Sequence, residues 1–254
     1  MVLLAVLSAL AACSSAQQTT GAPRTNDLNQ RVLSAIDSMP KRGGYDASQA
    51  AVDRLATSVT FDGTRIQQRP KVAGSTFCSG ATYLVLLRVI DQLQEEKVTQ
   101  LHAQTLARFA KLDVTDGEEL FGRWNANGPG AAKLVHDLGA GVNFTDYDSA
   151  HPGDFLKLWW TDAIGGRERG HLVVYLSHTA NDVTFWSANQ PGGYGTKTVP
   201  RSQAKRVLFT RLTNPKAFAN GRKLSPRDPF LAAMLRQPFT WNDVVKKCGV
   251  RKRP

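Results

Sequence analysis

The spacing of apolar residues changes near Pro152, and this change constrains the fold more than any other feature of the 254-residue chain. Before Pro152 apolar side chains recur at helical spacing. After it come short apolar segments bounded by Gly, Pro, Asn or Asp, a pattern typical of strands; they lie at 155–160, 171–176, 183–187 and 207–212. Helices followed by an antiparallel meander predict an α+β fold.

One helix is expected to be central in that fold. In STFCSGATYLVLLRVIDQL, Ser75 or Thr76 can cap a helix whose apolar positions cover most of its circumference, as in a buried helix. Other helices are predicted from residue 26 or 27 to 36, from 46 to 59, and from 98 to 112, with extended chain at 65–72. A helical elaboration is expected near 98–141, including the polar loop GRWNANGPG.

The amino terminus indicates export. Twelve uncharged, mostly apolar residues, MVLLAVLSALAA, span only about 18 Å as a helix, too short to cross a bilayer but suited to a signal peptide. Leu10-Ala11-Ala12-Cys13 resembles the bacterial lipobox, which implies lipidation of Cys13. The alternative is a simple signal peptide cut near Ala12. The first basic residue is Arg24, a departure from the usual charged start of a signal.

The domain organisation follows from these signals. Residues 1–12 are predicted to be the signal peptide, 13–25 a lipidated flexible tether, and 26–254 one globular domain, since about 240 residues suit a single core. The net charge of +11 favours acidic surroundings such as anionic lipid or peptidoglycan carboxylates. Nucleic acid is disfavoured as a partner, because the basic residues are dispersed and no nucleic-acid motif is recognised.

Cys78 is the candidate nucleophile. It is expected two or three residues inside the start of the central helix, where free backbone N–H groups and the helix dipole stabilise a thiolate. Ser79 and Gly80 are small, so a substrate carbonyl can approach and the Cys78 N–H can serve in an oxyanion hole. The alternatives are a buried cysteine that acts as a small hydrophobe, or a disulfide with Cys248.

His171 is the candidate base. Of the five histidines, it alone opens an apolar strand directly after a glycine. If strands 171–176 and 183–188 form a hairpin centred near residue 180, Asn189 or Ala188 lies opposite His171. Asn189 would then orient the imidazole; a one-residue slip in register would favour Ser187 or Gln190. A purely structural reading makes Asn189 the start of the turn NQPGG.

The segments FCSG, PGDFLKLWW, GHLVVYL and WSANQ, in this order, resemble the NlpC-type peptidases. This resemblance covers roughly residues 76–212 and implies a papain-like fold with the nucleophile helix packed on a small antiparallel sheet. It also implies a catalytic triad of Cys78, His171 and Asn189. Two departures are visible: Phe77 precedes the cysteine where the family often has Asp, and Asn stands where many members have His.

Other residues have roles that their sequence context predicts. Asp154 is expected to shape the turn into its strand. Trp124 and Tyr194, on polar loops, are candidates for stacking on a sugar or peptide. One of Trp159 and Trp160 is expected in the core and the other at the cleft. No zinc-type ligand spacing is recognised, and no cofactor is expected.

The predicted function is therefore a lipid-anchored cysteine hydrolase of the cell envelope, on the outer membrane facing the periplasm. It is expected to cleave an amide bond in peptidoglycan stem peptides through a thioester acyl-enzyme. Two alternatives remain open: a non-catalytic peptidoglycan-binding lipoprotein, and an acyltransferase or transpeptidase on the same fold.

Overall fold

The computed structural model describes residues 28–251, and within them the fold is α+β. The predicted signal peptide and tether, with Cys13, lie outside the described residues. Residues 26 and 27, at the predicted start of the domain, lie outside them as well. The helices are α1 Leu28–Asp37, α2 Gln49–Thr57, α3 Pro70–Ala73, α4 Cys78–Glu95, α5 Ala103–Ala110, α6 Glu119–Asn125, α7 Gly130–Leu138, α8 Pro229–Ala233 and α9 Trp241–Lys247. Two 3-10 helices cover Arg201–Gln203 and Pro215–Lys223.

The strands are β1 Arg42–Gly43, β2 Val59–Phe61, β3 Ile66–Gln68, β4 Gly141–Phe144, β5 Phe155–Trp159, β6 Ile164–Gly165, β7 Gly170–His178, β8 Asp182–Asn189, β9 Gly193–Pro200, β10 Arg206–Leu212 and β11 Pro238–Phe239. Seven of them form one antiparallel sheet in the order β1-β9-β8-β7-β5-β10-β4. The predicted antiparallel meander is therefore confirmed, with β10 returning beside β5.

Helix α4 is the centre of the helical layer, as its sequence predicts. Thirteen of its eighteen residues are buried, which leaves almost no face for solvent. It packs against β7 and β8, so the start of the helix is held over the middle of the sheet. Among residues 28–251, no helix is long and apolar enough to cross a bilayer.

Both faces of the seven-stranded sheet are buried. Along β7 the side chains alternate, as strand geometry requires. Leu172 and Val174 pack into the core under the helices, whereas Val173 and Tyr175 pack into a second cluster on the opposite face. Phe209 of β10 belongs to that second cluster, which is closed by aromatic contacts with Phe144 and Tyr147.

Asp154 has the structural role predicted for it. Its carboxylate is fully buried and forms a salt bridge of 2.7 Å with Arg211. It also accepts hydrogen bonds from Asn29 Nδ2 and from the backbone N–H of His151, both at 2.8 Å. These bonds fix the turn that leads into β5 and join it to α1 and β10.

Several predicted boundaries were wrong. Helix α2 begins at Gln49 with Ser48 as its cap, because Asp46 instead accepts hydrogen bonds from Ser48 and Arg54. The segment 65–72 is extended only over β3 and then turns into α3, since Pro70 suits a first helical turn. Strands β4 and β9 were not predicted, because their short or glycine-rich sequences lack a clear apolar alternation.

Candidate active site

Cys78 is the first residue of α4, rather than two or three residues inside the helix. Phe77, in extended conformation, occupies the cap position and offers no side-chain hydrogen bond. The first backbone N–H groups of α4 therefore have no partner within the helix. This position favours a thiolate at Cys78.

Gly80 is small for a different reason from the one predicted. A Cβ atom at this position would lie 2.8 Å from Leu55 Cδ2 and from Thr76 Oγ1. Gly80 thus lets α4 pack closely against the protein interior, and it does not provide space for a substrate. Ser79 does lie in the cleft described below.

His171 reaches Cys78 from the sheet. It is the second residue of β7, and its imidazole forms a hydrogen bond with the thiol. Burial alone would raise the pKa of Cys78. The hydrogen bond and positive charge of His171 outweigh burial, with smaller contributions from the Leu172 backbone N–H and from Lys157, and lower the pKa to about 6. A thiol with such a pKa is substantially ionised at neutral pH.

Asn189, at the end of β8, holds the other side of the imidazole. Its Oδ1 lies 3.1 Å from His171 Nε2. Its Nδ2 donates to the carbonyl oxygens of Ser187, at 3.2 Å, and Gly195, at 2.7 Å. Because the amide nitrogen already donates to two acceptors, Oδ1 must face the histidine and accept a hydrogen bond from Nε2–H. The Nδ1 atom is then the nitrogen that serves Cys78.

The hairpin register explains why sequence reasoning found Asn189. Val174 pairs with Trp186 and Tyr175 with Phe185. If the same pairing is extended by three residues on each strand, His171 lies opposite Asn189. The prediction of a turn centred near residue 180 gave the same pair. Nearer the turn Ser177 pairs with Thr184 and His178 with Val183, so the bulge between Tyr175 and Ser177 shifts the register by one residue; without it His171 would lie opposite Gln190.

Ser187 and Gln190, the two alternatives to Asn189, do not form a hydrogen bond with the His171 imidazole in the described part of the chain. Ser187 is fully buried, and its hydroxyl donates to the carbonyl oxygen of Leu172 at 2.9 Å. Gln190 lines the cleft beyond Asn189. The structure thus brings together Cys78, His171 and Asn189.

Tyr45 belongs to this site and was missed in the sequence. Its hydroxyl forms a hydrogen bond with Cys78, and burial followed by the nearby Cys78 charge raises the pKa of the phenol. The segment that carries it is tied down by the β1–β9 pairing and by a bridge between Tyr45 and Thr76. No local pattern identifies Tyr45, because its position depends on these long-range pairings.

Lys157 was also missed. It stands opposite Leu172 in the β5–β7 register, and its side chain runs over Gly170. A Cβ atom on Gly170 would lie 2.9 Å from both Cε and Nζ of Lys157. The Lys157 ammonium pairs with Glu168 at 2.6 Å, so the positive charge that favours the Cys78 thiolate is fixed in place.

A cleft of about 550 Å³ opens at the thiol. Its walls carry polar and charged side chains, among them Tyr45, Ser79, Asp116, Asn125, Lys157 and Glu168. His171 borders an adjacent cleft of about 340 Å³, which shares Tyr45, Trp160, Gly170 and Gln190 with the first. Trp160 thus faces the cleft while Trp159 is fully buried, as the sequence indicated for this pair.

The predicted stacking residues, Trp124 and Tyr194, are buried. Trp124 lies on α6 rather than on a loop, and its indole N–H donates to Thr82 Oγ1 at 3.2 Å. It packs edge-on against Phe155 and contributes to the cleft wall without an exposed ring face. Tyr194 lies on β9 and packs against Trp186. Polar neighbours in the sequence had suggested exposed loops, but tertiary packing covers both rings.

Cys248 takes no part in this site. It is a free thiol at the end of α9, fully buried in a separate cluster with Trp159 and Met234. Burial raises its pKa to about 12. Cys78 is also free, so the structure does not contain the disulfide considered as an alternative. Within residues 28–251 no cluster of three His, Cys, Asp or Glu side chains is arranged to hold a metal ion.

The arrangement can perform nucleophilic chemistry on a carbonyl. It combines a low-pKa thiol, an oriented imidazole, and donors from Tyr45 and the start of α4 that can meet an oxyanion. No protein-family model, no curated protein and no solved structure matches the chain.

Proposed function

We propose that this protein is a papain-like cysteine hydrolase that cleaves amide bonds through a thioester acyl-enzyme. The observation that carries the proposal is the contact series from Cys78 to His171 to Asn189, in which the asparagine amide fixes the tautomer of the imidazole. A buried cysteine with only a packing role requires neither an oriented base nor a lowered pKa.

Each step uses groups that are present. The Cys78 thiolate attacks the amide carbon and forms a C–S bond, while the carbonyl oxygen becomes an oxyanion that accepts hydrogen bonds from the Cys78 N–H and the Tyr45 hydroxyl. His171, protonated at Nδ1, gives this proton to the leaving amine as the C–N bond breaks. Water then attacks the thioester, His171 takes its proton, and the acid and free thiolate are released.

The substrate class rests on the sequence. The signal-like amino terminus, the lipobox-like Leu10-Ala11-Ala12-Cys13, the net charge of +11 and the resemblance to NlpC-type peptidases support action on peptidoglycan stem peptides. We propose that the enzyme works in the cell envelope, on the outer membrane facing the periplasm, anchored by lipid at Cys13. No nucleic acid and no cofactor enters the proposed reaction.

The decisive experiment is digestion of purified peptidoglycan with the wild-type protein and with Cys78→Ala and His171→Ala, followed by mass analysis of released muropeptides. His178→Ala is the matched control, because His178 lies at the far end of the same strand and bonds to Tyr175. We expect release by wild type and His178→Ala only. Equal release by Cys78→Ala would refute the assigned nucleophile.

Intact-protein mass spectrometry separates hydrolysis from the alternatives. A thioester adduct on Cys78 after addition of an activated acyl ester supports acyl-enzyme chemistry, and transfer of this acyl group to an added amine in preference to water would indicate a transpeptidase or acyltransferase. A protein that binds peptidoglycan without forming any adduct would be a binding lipoprotein.

A further inference from the structure

Asp116 places a carboxylate in the wall of the cleft that contains Cys78. Its Oδ1 accepts a hydrogen bond from Asn125 Nδ2 at 2.7 Å. The Oδ1 atom of Asn125 in turn accepts from the Ser79 hydroxyl at 2.7 Å. Since Ser79 follows Cys78 in the chain, this hydrogen-bonded series fixes the carboxylate relative to the nucleophile.

The charge of Asp116 is compensated only at a distance, by Lys157. Within the described part of the chain its carboxylate makes hydrogen bonds with Asn125 and the Asn127 backbone but no salt bridge. Lys157 is close enough to act on it electrostatically, and burial nevertheless raises the pKa of Asp116. A partly buried carboxylate that no cation contacts is less stable in its charged form than one in water.

Glu168 prevents Lys157 from moving to Asp116. Its carboxylate is almost fully buried and lies 2.6 Å from the Lys157 ammonium. It also accepts hydrogen bonds from the backbone N–H groups of Gly128 and Gly165, each at 2.9 Å. Lys157 is thus held by a carboxylate that is itself anchored on two backbone segments.

The loop that carries Asp116 is held in an unfavourable conformation. Glu119 has a φ of 47°, which is rare for a residue with a side chain. At Gly117, with a φ of 83°, a Cβ atom would lie 2.4 Å from the Ala232 backbone nitrogen. Hydrogen bonds from Glu119 N–H to Pro226 and from Asp228 N–H to Gly117 hold this shape at 2.7 and 2.8 Å. Strain maintained beside a cleft is typical of functional sites.

The position of Asp116 relative to Cys78 and His171 indicates which part of a substrate it meets. The leaving amine must receive its proton from His171, so it occupies the adjacent cleft that His171 borders. The acyl part then extends from Cys78 into the cleft that contains Asp116. We propose, on the basis of the proposed acyl-transfer function, that Asp116 is a subsite for a primary ammonium group on the acyl side of the substrate.

Alkylation of Cys78 with matched reagents tests this subsite without a known substrate. The probes are N-(2-aminoethyl)iodoacetamide, which carries an ammonium group, and its neutral analogue N-propyliodoacetamide, with rates scaled to those of 2-mercaptoethanol. Both reagents attack the same thiolate, so the ratio of their rates is independent of any change in the pKa of Cys78. The wild-type ratio should favour the cation by about tenfold.

Asp116→Asn keeps the shape of the side chain and should bring the ratio close to one. Asp113→Asn is the matched control, because Asp113 is an exposed carboxylate near the same loop and should leave the ratio at the wild-type value. A wild-type ratio near one overturns the subsite even if Asp116→Asn fails to fold, and so does an unchanged ratio in folded Asp116→Asn. Slow reaction of wild type with both reagents near pH 6 instead overturns the proposed function, and the subsite with it.

Discussion

The Nε2 atom of His171 lies 3.1 Å from Oδ1 of Asn189, and the asparagine amide nitrogen is bound to two carbonyl oxygens on its other side. This arrangement fixes the proton on Nε2 and presents Nδ1 to Cys78.

The thiolate of Cys78 should persist below neutral pH. With a pKa of about 6, the alkylation rate at Cys78 should rise through pH 6 and level off near pH 7. His171→Ala removes the main group that lowers this pKa, so the rate at pH 6 should fall by about 100-fold, towards an ordinary thiol with a pKa of about 8.5. Stopped-time iodoacetamide labelling across pH 5 to 9 measures both profiles, and an unchanged profile in His171→Ala would contradict the assignment.

Replacement of Asn189 should damage catalysis by releasing the imidazole. Asn189→Ala removes the acceptor of the Nε2 proton, so we expect kcat to fall by about tenfold or more and the pH profile of acylation to shift. Asn181→Ala, in the turn of the same hairpin, is the control and should behave as wild type. A fall in stability without any change in the pH profile would indicate that Asn189 only shapes the turn.

The hydroxyl of Tyr45 should contribute to the acylation step. Tyr45→Phe keeps the ring but removes the hydrogen bond to Cys78, so the pKa of the thiol should rise and acylation should slow by about tenfold. Tyr175→Phe also loses a hydrogen bond, to His178 at 2.6 Å, on the opposite face of the sheet. Single-turnover acylation should separate the two variants; equal rates would exclude Tyr45 from the reaction.

Asp154 should matter for stability rather than for chemistry. Its removal leaves Arg211 without its buried partner and breaks the hydrogen bond from Asn29, so Asp154→Ala should lower the free energy of unfolding by about 3–5 kcal/mol. Urea unfolding measures this loss, and Asp53→Ala, an exposed carboxylate on α2, is the control. The alkylation rate of Cys78 in the folded fraction should stay at the wild-type value; a selective loss of that rate would assign Asp154 to the active site.

Cys248 should be inert in the folded protein. Its pKa of about 12 and its complete burial leave almost no accessible thiolate at pH 8. Peptide mapping after iodoacetamide treatment should find the adduct on Cys78, with Cys248 labelled only after denaturation. Labelling of native Cys248 at a comparable rate would show that the cluster around it opens.

The sequence predicted the parts of this site that depend on local pattern. The apolar circumference of α4 placed Cys78 at the start of a buried helix, and the spacing of β7 and β8 paired His171 with Asn189. Tyr45, Lys157 and Asp116 could not be found in this way. Tyr45 depends on pairing of β1 with a distant strand, Lys157 interrupts an otherwise apolar strand, and Asp116 depends on packing of its loop against residues 226–232.

The same limit explains the errors at Trp124 and Tyr194. Both rings have glycine and polar neighbours in the sequence, which is typical of loops. In the structure Trp124 packs on Phe155 and Tyr83, and Tyr194 packs on Trp186, because distant segments supply the apolar surroundings. Burial of a single aromatic residue is thus a property of the assembled fold.

The nucleophile comes early in the chain, whereas the groups that activate it come late. His171 and Asn189 follow Cys78 along the chain, and the amide of Asn189 is held by Gly195 on a strand that is later still. A chain that ends before His171 therefore lacks the main group that lowers the pKa of Cys78. On the proposed function, such an incomplete chain would carry an unactivated thiol.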